Sequence, residues 1–104
     1  MKITDKTTIK ELQDYIRQFV TDRGFENESV EQKFVSLVEE VGELAKAIRP
    51  AIGIKFAADT SRTEIEEEFA DVLLLLLSLA NKLDVDMATA IENKEVKNRK
   101  RSWR

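Results

Sequence analysis

"VLLLLLSLA", residues 72–80, is the longest apolar run in the chain. A membrane-spanning helix needs about 20 apolar residues, roughly twice this length, so the run reads as the interior of a soluble protein. With one proline and three glycines in 104 residues, nothing resembles a set of strands separated by hairpin turns. Residues 72–77 are apolar on every side of a helix, the pattern of a helix enclosed by neighbours. In so short a chain, another subunit is expected to supply some of those neighbours.

Working outward from this segment, start signals divide the rest into helices. Thr8 with Glu11, Ser29 with Gln32 and Thr63 with Glu66 each have the form of a capping box. The first helix is predicted over 9–23, with Ile9, Leu12, Ile16, Phe19 and Val20 at helical spacing and Gly24 as its stop. The second starts at Ser29 and stops before Pro50, with Phe34, Leu37, Val38, Val41, Leu44, Ala45 and Ile48 as its inward stripe. A loop containing Gly and Ala follows. The third helix runs from Thr63 through Leu83. Asp86 caps a fourth through about Lys100, with Met87, Ala90 and Ile91 facing inward. The expectation is one all-α domain over residues 1–104.

Composition narrows the chemistry. The chain has no cysteine and no histidine, which removes disulfides, thiolate metal sites, thiol nucleophiles and the commonest general base. The net charge of −3 is too balanced for the whole chain to bind a polyanion. Acidic residues crowd positions 64–71 and basic ones 94–104. The first ten residues, MKITDKTTIK, lack the apolar stretch of a signal peptide, so a cytoplasmic protein is expected.

The acidic residues have a pattern. Glu39, Glu40 and Glu43 lie on the second helix, with Glu40 at the border of the stripe centred near Val41 and Glu43 one step further round. On the third helix Glu64, Glu68, Asp71 and Leu75 fall in one row. Glu40 with Glu43 and Glu68 with Asp71 are thus two i,i+3 carboxylate pairs beside apolar surface. Unpaired, they would repel one another, and desolvation and like charge would both raise their pKa values. A divalent cation removes that penalty, and an all-oxygen donor set suits Mg²⁺, or Mn²⁺, rather than Zn²⁺ or copper. The competing reading is a solvated acidic face, with the glutamates of the third helix's first turn complementing its dipole. Gly42 favours the site, because glycine within a helix costs about 1 kcal/mol relative to alanine and permits close approach.

Three stretches in order, "EEVGELAKAI", "EEEFADVLLLLLSLA" and "NKEVKNRKR", resemble the MazG-like all-α nucleoside triphosphate pyrophosphohydrolases, a likeness that extends over residues 12–101. The resemblance implies Mg²⁺-dependent cleavage of (deoxy)nucleoside triphosphates between the α and β phosphates, giving monophosphate and pyrophosphate. It implies Glu40, Glu43, Glu68 and Asp71 as metal ligands, with Glu39 and Glu67 as outer ligands or helpers orienting water, and Glu39 and Glu40 as the catalytic pair. It also implies phosphate contacts from Lys94, Asn98 and Arg99 or Arg101, and a homodimer or dimer of dimers, with a tetramer favoured. "FVTDRGFE" is similar to a region of the deoxycytidine triphosphatases that carries a stacking aromatic; Phe25 takes that place, and dCTP is the expected substrate among others. A tryptophan that some such members carry after the second helix is absent from "RPAIGIKF", where Phe56 stands as a substitute.

Bland readings accompany these. Phe25 could staple a loop to the core. The basic last helix could be a solvated end whose cations complement its dipole, or, with Trp103, a nucleic-acid tail. Two functional alternatives also remain: a non-catalytic helical interaction module, and a pyrophosphohydrolase acting on a phosphoribosyl-linked nucleotide such as phosphoribosyl-ATP.

Overall fold

The computed structural model describes residues 1–49 and 62–101. Among them are four helices and no strand: α1 (Ile9–Asp22), α2 (Val30–Ile48), α3 (Arg62–Lys82) and α4 (Met87–Lys100). The all-α expectation holds, and so do most of the start signals. Thr8 and Ser29 form complete capping boxes with Glu11 and Gln32, and Asp86 caps α4 by accepting from the Thr89 backbone N–H. The third signal differs. Arg62 is already helical, so Thr63 sits inside the first turn rather than capping it, and Arg62 pairs with Glu66 across one turn at 3.4 Å. The predicted Gly- and Ala-containing loop, Phe56 and Trp103 lie outside the described residues.

α1 and α3 end in the same way. Phe25 N–H donates to the Val20 carbonyl and Gly24 N–H to Thr21, with Gly24 at φ 74°. After α3, Val85 N–H donates to Ala80 and Asp84 N–H to Asn81, with Asp84 at φ 57°. Both are Schellman closures, but at the second an aspartate occupies the left-handed position that glycine fills without strain.

α3 is the central helix, packed chiefly on α2 and also on α1, while α4 rests on α1. Ile16, Ala47, Ile65, Leu77, Leu79 and Ala80 form the core, with Leu77 only 1% exposed. A polar knot fastens α1 to the α3–α4 turn. Gln13, 4% exposed, donates through Nε2 to Asn81 Oδ1 and to the Val85 carbonyl, each at 2.9 Å, while its Oε1 accepts from the Met87 backbone N–H at 3.0 Å. Asn81 Nδ2 returns a bond to the Gln13 carbonyl at 2.9 Å. Every polar group of the buried amide is thereby used, which is what makes its burial tolerable.

The inward face of α2 departs from the predicted stripe. Lys33 and Ala47 are buried and Ser36, Leu37, Glu40 and Leu44 half-buried, so this face centres on Glu40, about 100° round the helix from Val41. Val41 is 47% exposed, and Phe34 and Val38 are also exposed. α2 has two adjacent apolar flanks; the periodicity marks both, and α3 covers the flank that contains the carboxylate. Phe69, Leu73 and Leu76 of α3 are likewise exposed, so the helix predicted to be enclosed is open on one side within a single chain. On α4, Met87 and Ala90 are half-buried, but Ile91 is exposed rather than inward.

Candidate functional site

Glu40 reaches the α2–α3 interface because it occupies the middle of the covered face. There it meets Glu68 and Asp71, one turn apart on α3. One carboxylate oxygen from each of the three lies within 4.8 Å of the others. Glu68 and Glu40 are half-buried and Asp71 is exposed, so the cluster opens to solvent on the Asp71 side.

The electrostatics of the trio are unfavourable as it stands. Glu68 Oε2 is buried with no hydrogen-bond partner. Loss of hydration pushes the Glu68 carboxyl above its ordinary value, assisted by a hydrogen-bonding contact with Glu40 and by the like charges of Glu40, Asp71 and Glu43. An orphaned buried oxygen within a carboxylate cluster is what a hard divalent cation would satisfy, and the donor set, all oxygen, fits such an ion.

The sequence-predicted residues divide three ways. Glu40, Glu68 and Asp71 come together as expected. Glu43 does not join the trio, although it lies near enough to raise Glu68, and Glu39 and Glu67 are exposed outside it. Among the described residues nothing approaches Gly42 closely, since a Cβ there would meet no atom of theirs within 4 Å.

A cleft of about 530 Å³ opens beside the carboxylates. Glu40 and Asp71 line it together with Ile3, Tyr15, Phe19, Phe25, Glu28, Lys33 and Ser78, so Phe25 is brought to the site. Lys94, Asn98, Arg99 and Arg101 do not line it: α4 packs on α1, and Arg99 pairs with Glu95 at 3.1 Å. Among the described residues, these four are not brought to the cleft.

Sequence reasoning missed Lys33, Glu28, Ser78 and the aromatic contribution of α1. A signal for Lys33 existed: it precedes Glu40 by seven residues, two helical turns, and so shares its face. Lys33 is also one of few charged residues on a covered flank, 5% exposed, with Nζ bonded to Glu28 Oε1 at 3.2 Å.

Comparison with known proteins bears on the fold and the family. YpjD of Bacillus subtilis superposes with a TM-score of 0.82 at 29% identity, covering 95% of this chain and all of that one. A Bacillus-conserved MazG protein described as a nucleotide pyrophosphohydrolase superposes with a TM-score of 0.72 at 27% identity, covering 100% of this chain and 97% of that one. In sequence, the chain is 32% identical over 96 residues to a dATP/dGTP diphosphohydrolase of Salmonella phage PMBT28, covering 92% of this chain and 28% of the phage protein. It is 28% identical over 105 residues to dCTP pyrophosphatase 1 of Mus musculus, covering 96% of this chain and 62% of the mouse protein. The chain thus spans less than two thirds of either of these relatives. The MazG nucleotide pyrophosphohydrolase domain matches residues 24–103, which include the three clustered carboxylates and most of the cleft, and the chain belongs to that family.

Proposed function

We propose that this chain hydrolyses (deoxy)nucleoside triphosphates, dCTP among them, to monophosphate and pyrophosphate, with Mg²⁺ or Mn²⁺ held by Glu40, Glu68 and Asp71 and with Glu43 completing or supporting the set. The observation that carries this reading is the meeting of three carboxylates from two helices within 4.8 Å, one oxygen buried without a partner, at the head of an aromatic cleft. Two catalogued relatives whose names describe nucleoside triphosphate hydrolysis support the same class of substrate.

The cation, when bound, neutralises charge on the triphosphate and activates water. The protein's own part is to place the phosphates and the base. The trio fixes the polar end of the cleft. Phe25, exposed on one side, offers a ring face on which a base can stack. With no histidine or cysteine in the chain, the proton of the attacking water passes to a carboxylate, and Glu39 and Glu40 are assigned that role. No covalent intermediate is needed.

The exposed apolar flanks of α2 and α3 support a homo-oligomer, dimer or dimer of dimers. Such an assembly would bury Phe69 and Leu73 and gives Lys94, Asn98, Arg99 and Arg101 of a second copy a route to the phosphates. No described helix is long and apolar enough to cross a membrane, and a cytoplasmic setting fits a nucleotide substrate.

The test is pyrophosphate release from each common dNTP and NTP, with and without Mg²⁺, with the nucleotide product resolved by chromatography. Metal-dependent monophosphate and pyrophosphate are expected. A folded protein that binds Mg²⁺ but turns over none of them points to a phosphoribosyl-linked nucleotide; one that binds no metal either is an interaction module.

A further inference from the structure

Resting on the nucleotide reading above, the cleft also carries an account of which base it accepts. Lys33 is nine-tenths buried, and an aliphatic side chain would fill the same space without the cost of desolvating an amine. Of the three N–H donors on Nζ, one bonds Glu28 Oε1, and no other partner occurs among the described residues. Ser78, also buried, lines the cleft with no hydrogen bond from its hydroxyl among the described residues.

The placement of these groups is set by helical register. Lys33 and Glu40 on α2, like Ser78 and Asp71 on α3, are seven residues apart, so each pair shares a face at about 10 Å separation along its helix. All four line the one cleft. Carboxylates therefore mark one end and Lys33 with Ser78 the other, a span comparable to that from the α-phosphate of a nucleotide to the far edge of its base. Phe25 and Phe19 also line the cleft, and Glu28 brings an acceptor beside the Lys33 donors.

We infer that Lys33 and Glu28 read the base edge, Lys33 Nζ donating to a ring carbonyl and the Glu28 carboxylate accepting from an exocyclic amino group. Cytosine and guanine offer both groups. Adenine lacks the carbonyl and so leaves the buried Lys33 amine without its ligand partner, whereas thymine and uracil replace the amino group with a carbonyl, which the half-exposed Glu28 carboxylate repels. A buried polar group left unsatisfied is the arrangement that discriminates most strongly between otherwise similar ligands.

The experiment is calorimetric titration of dCMP, dGMP, dAMP and dTMP into the wild type, Lys33→Met, Lys33→Arg and Glu28→Gln, each variant checked by thermal melting. The wild type is expected to bind dCMP and dGMP about tenfold or more tightly than dAMP and dTMP. Lys33→Met should erase that preference and Lys33→Arg restore part of it. Equal affinities in the wild type, or a loss of the same size for all four nucleotides in folded Lys33→Met, would overturn the inference and leave the pair a structural clasp. Should Lys33→Met not fold, Glu28→Gln decides, because the Glu28 side chain is 40% exposed and not part of the core. Pyrophosphate release is measured apart from this: base preference without turnover sinks the hydrolytic reading alone, and turnover without base preference sinks only this one.

Discussion

Gln13 and Asn81 exchange two hydrogen bonds, Nε2 to Oδ1 and Nδ2 to the Gln13 carbonyl, each 2.9 Å long, across a sequence separation of 68 residues. That exchange, with the Met87 N–H and the Val85 carbonyl also held by Gln13, ties the first helix to the start of the last. Gln13→Leu keeps the volume and takes the side-chain partner from the Met87 N–H and the Val85 carbonyl, while Asn81 keeps its bonds to the residue-13 carbonyl and to Arg17. A loss of about 2–3 kcal/mol in urea unfolding is expected. A loss below about 0.5 kcal/mol would show that water replaces the knot at no cost.

Glu68 supplies the second prediction. In metal-free protein, Glu68→Gln removes a charge from the cluster and should raise the melting temperature. Added Mg²⁺ should stabilise the wild type by mass action, while the variant gains much less. Identical responses to Mg²⁺ in the two proteins would remove Glu68 from the ligand set.

The pH dependence of metal-free stability has a definite sign. Burial and like charge hold the folded Glu68 carboxyl above its ordinary value of 4.5, so the folded state keeps the proton more tightly than the unfolded one. This group's contribution is therefore most favourable below 4.5 and diminishes as pH rises through its elevated folded value. Glu11 has the opposite sign. Bonds from the Thr8 backbone and side chain lower its pKa, so its contribution is present above 4.5 and lost as pH falls through its depressed value. Urea titrations across this range should give Glu68→Gln a steeper rise of stability with pH than the wild type, and Glu11→Gln a shallower one.

Asp84 holds a left-handed conformation that costs a non-glycine residue energy. Asp84→Gly should stabilise the fold by about 0.5–1 kcal/mol, seen as an upward shift in melting temperature with no change in helix content by circular dichroism.

The apolar flank gives the last prediction. Leu73→Glu places a charge where a second copy would pack, and light scattering should show a smaller assembly than the wild type. If both proteins scatter as monomers, the flank is not a self-association surface.

Much of this was readable from sequence, for identifiable reasons. Capping boxes at Thr8 and Ser29, the Asp86 cap and the stop at Gly24 are local devices whose chemistry lies within five residues, and the structure repeats them. The i,i+3 spacing put four carboxylates, Glu40, Glu43, Glu68 and Asp71, beside apolar surface, and three of them meet while Glu43 stays outside the group. What was not legible depends on partners far along the chain. Gln13 interrupts an apolar stripe, and only Asn81 and the α3–α4 turn give it a reason. Periodicity marks the apolar flanks of α2 without saying that α3 covers the side bearing Glu40 and Lys33 rather than the side bearing Val41.

The seven-residue interval that carries Lys33 and Glu40 on α2, matched by Asp71 and Ser78 on α3, makes this pair of helices a fixed ruler. Substitutions within it can change what each mark reads, but a single inserted or deleted residue would turn one end by about 100° against the other. Variation in this stretch should therefore be confined to exchanges of side chain, with changes of length relegated to the segments that join the helices.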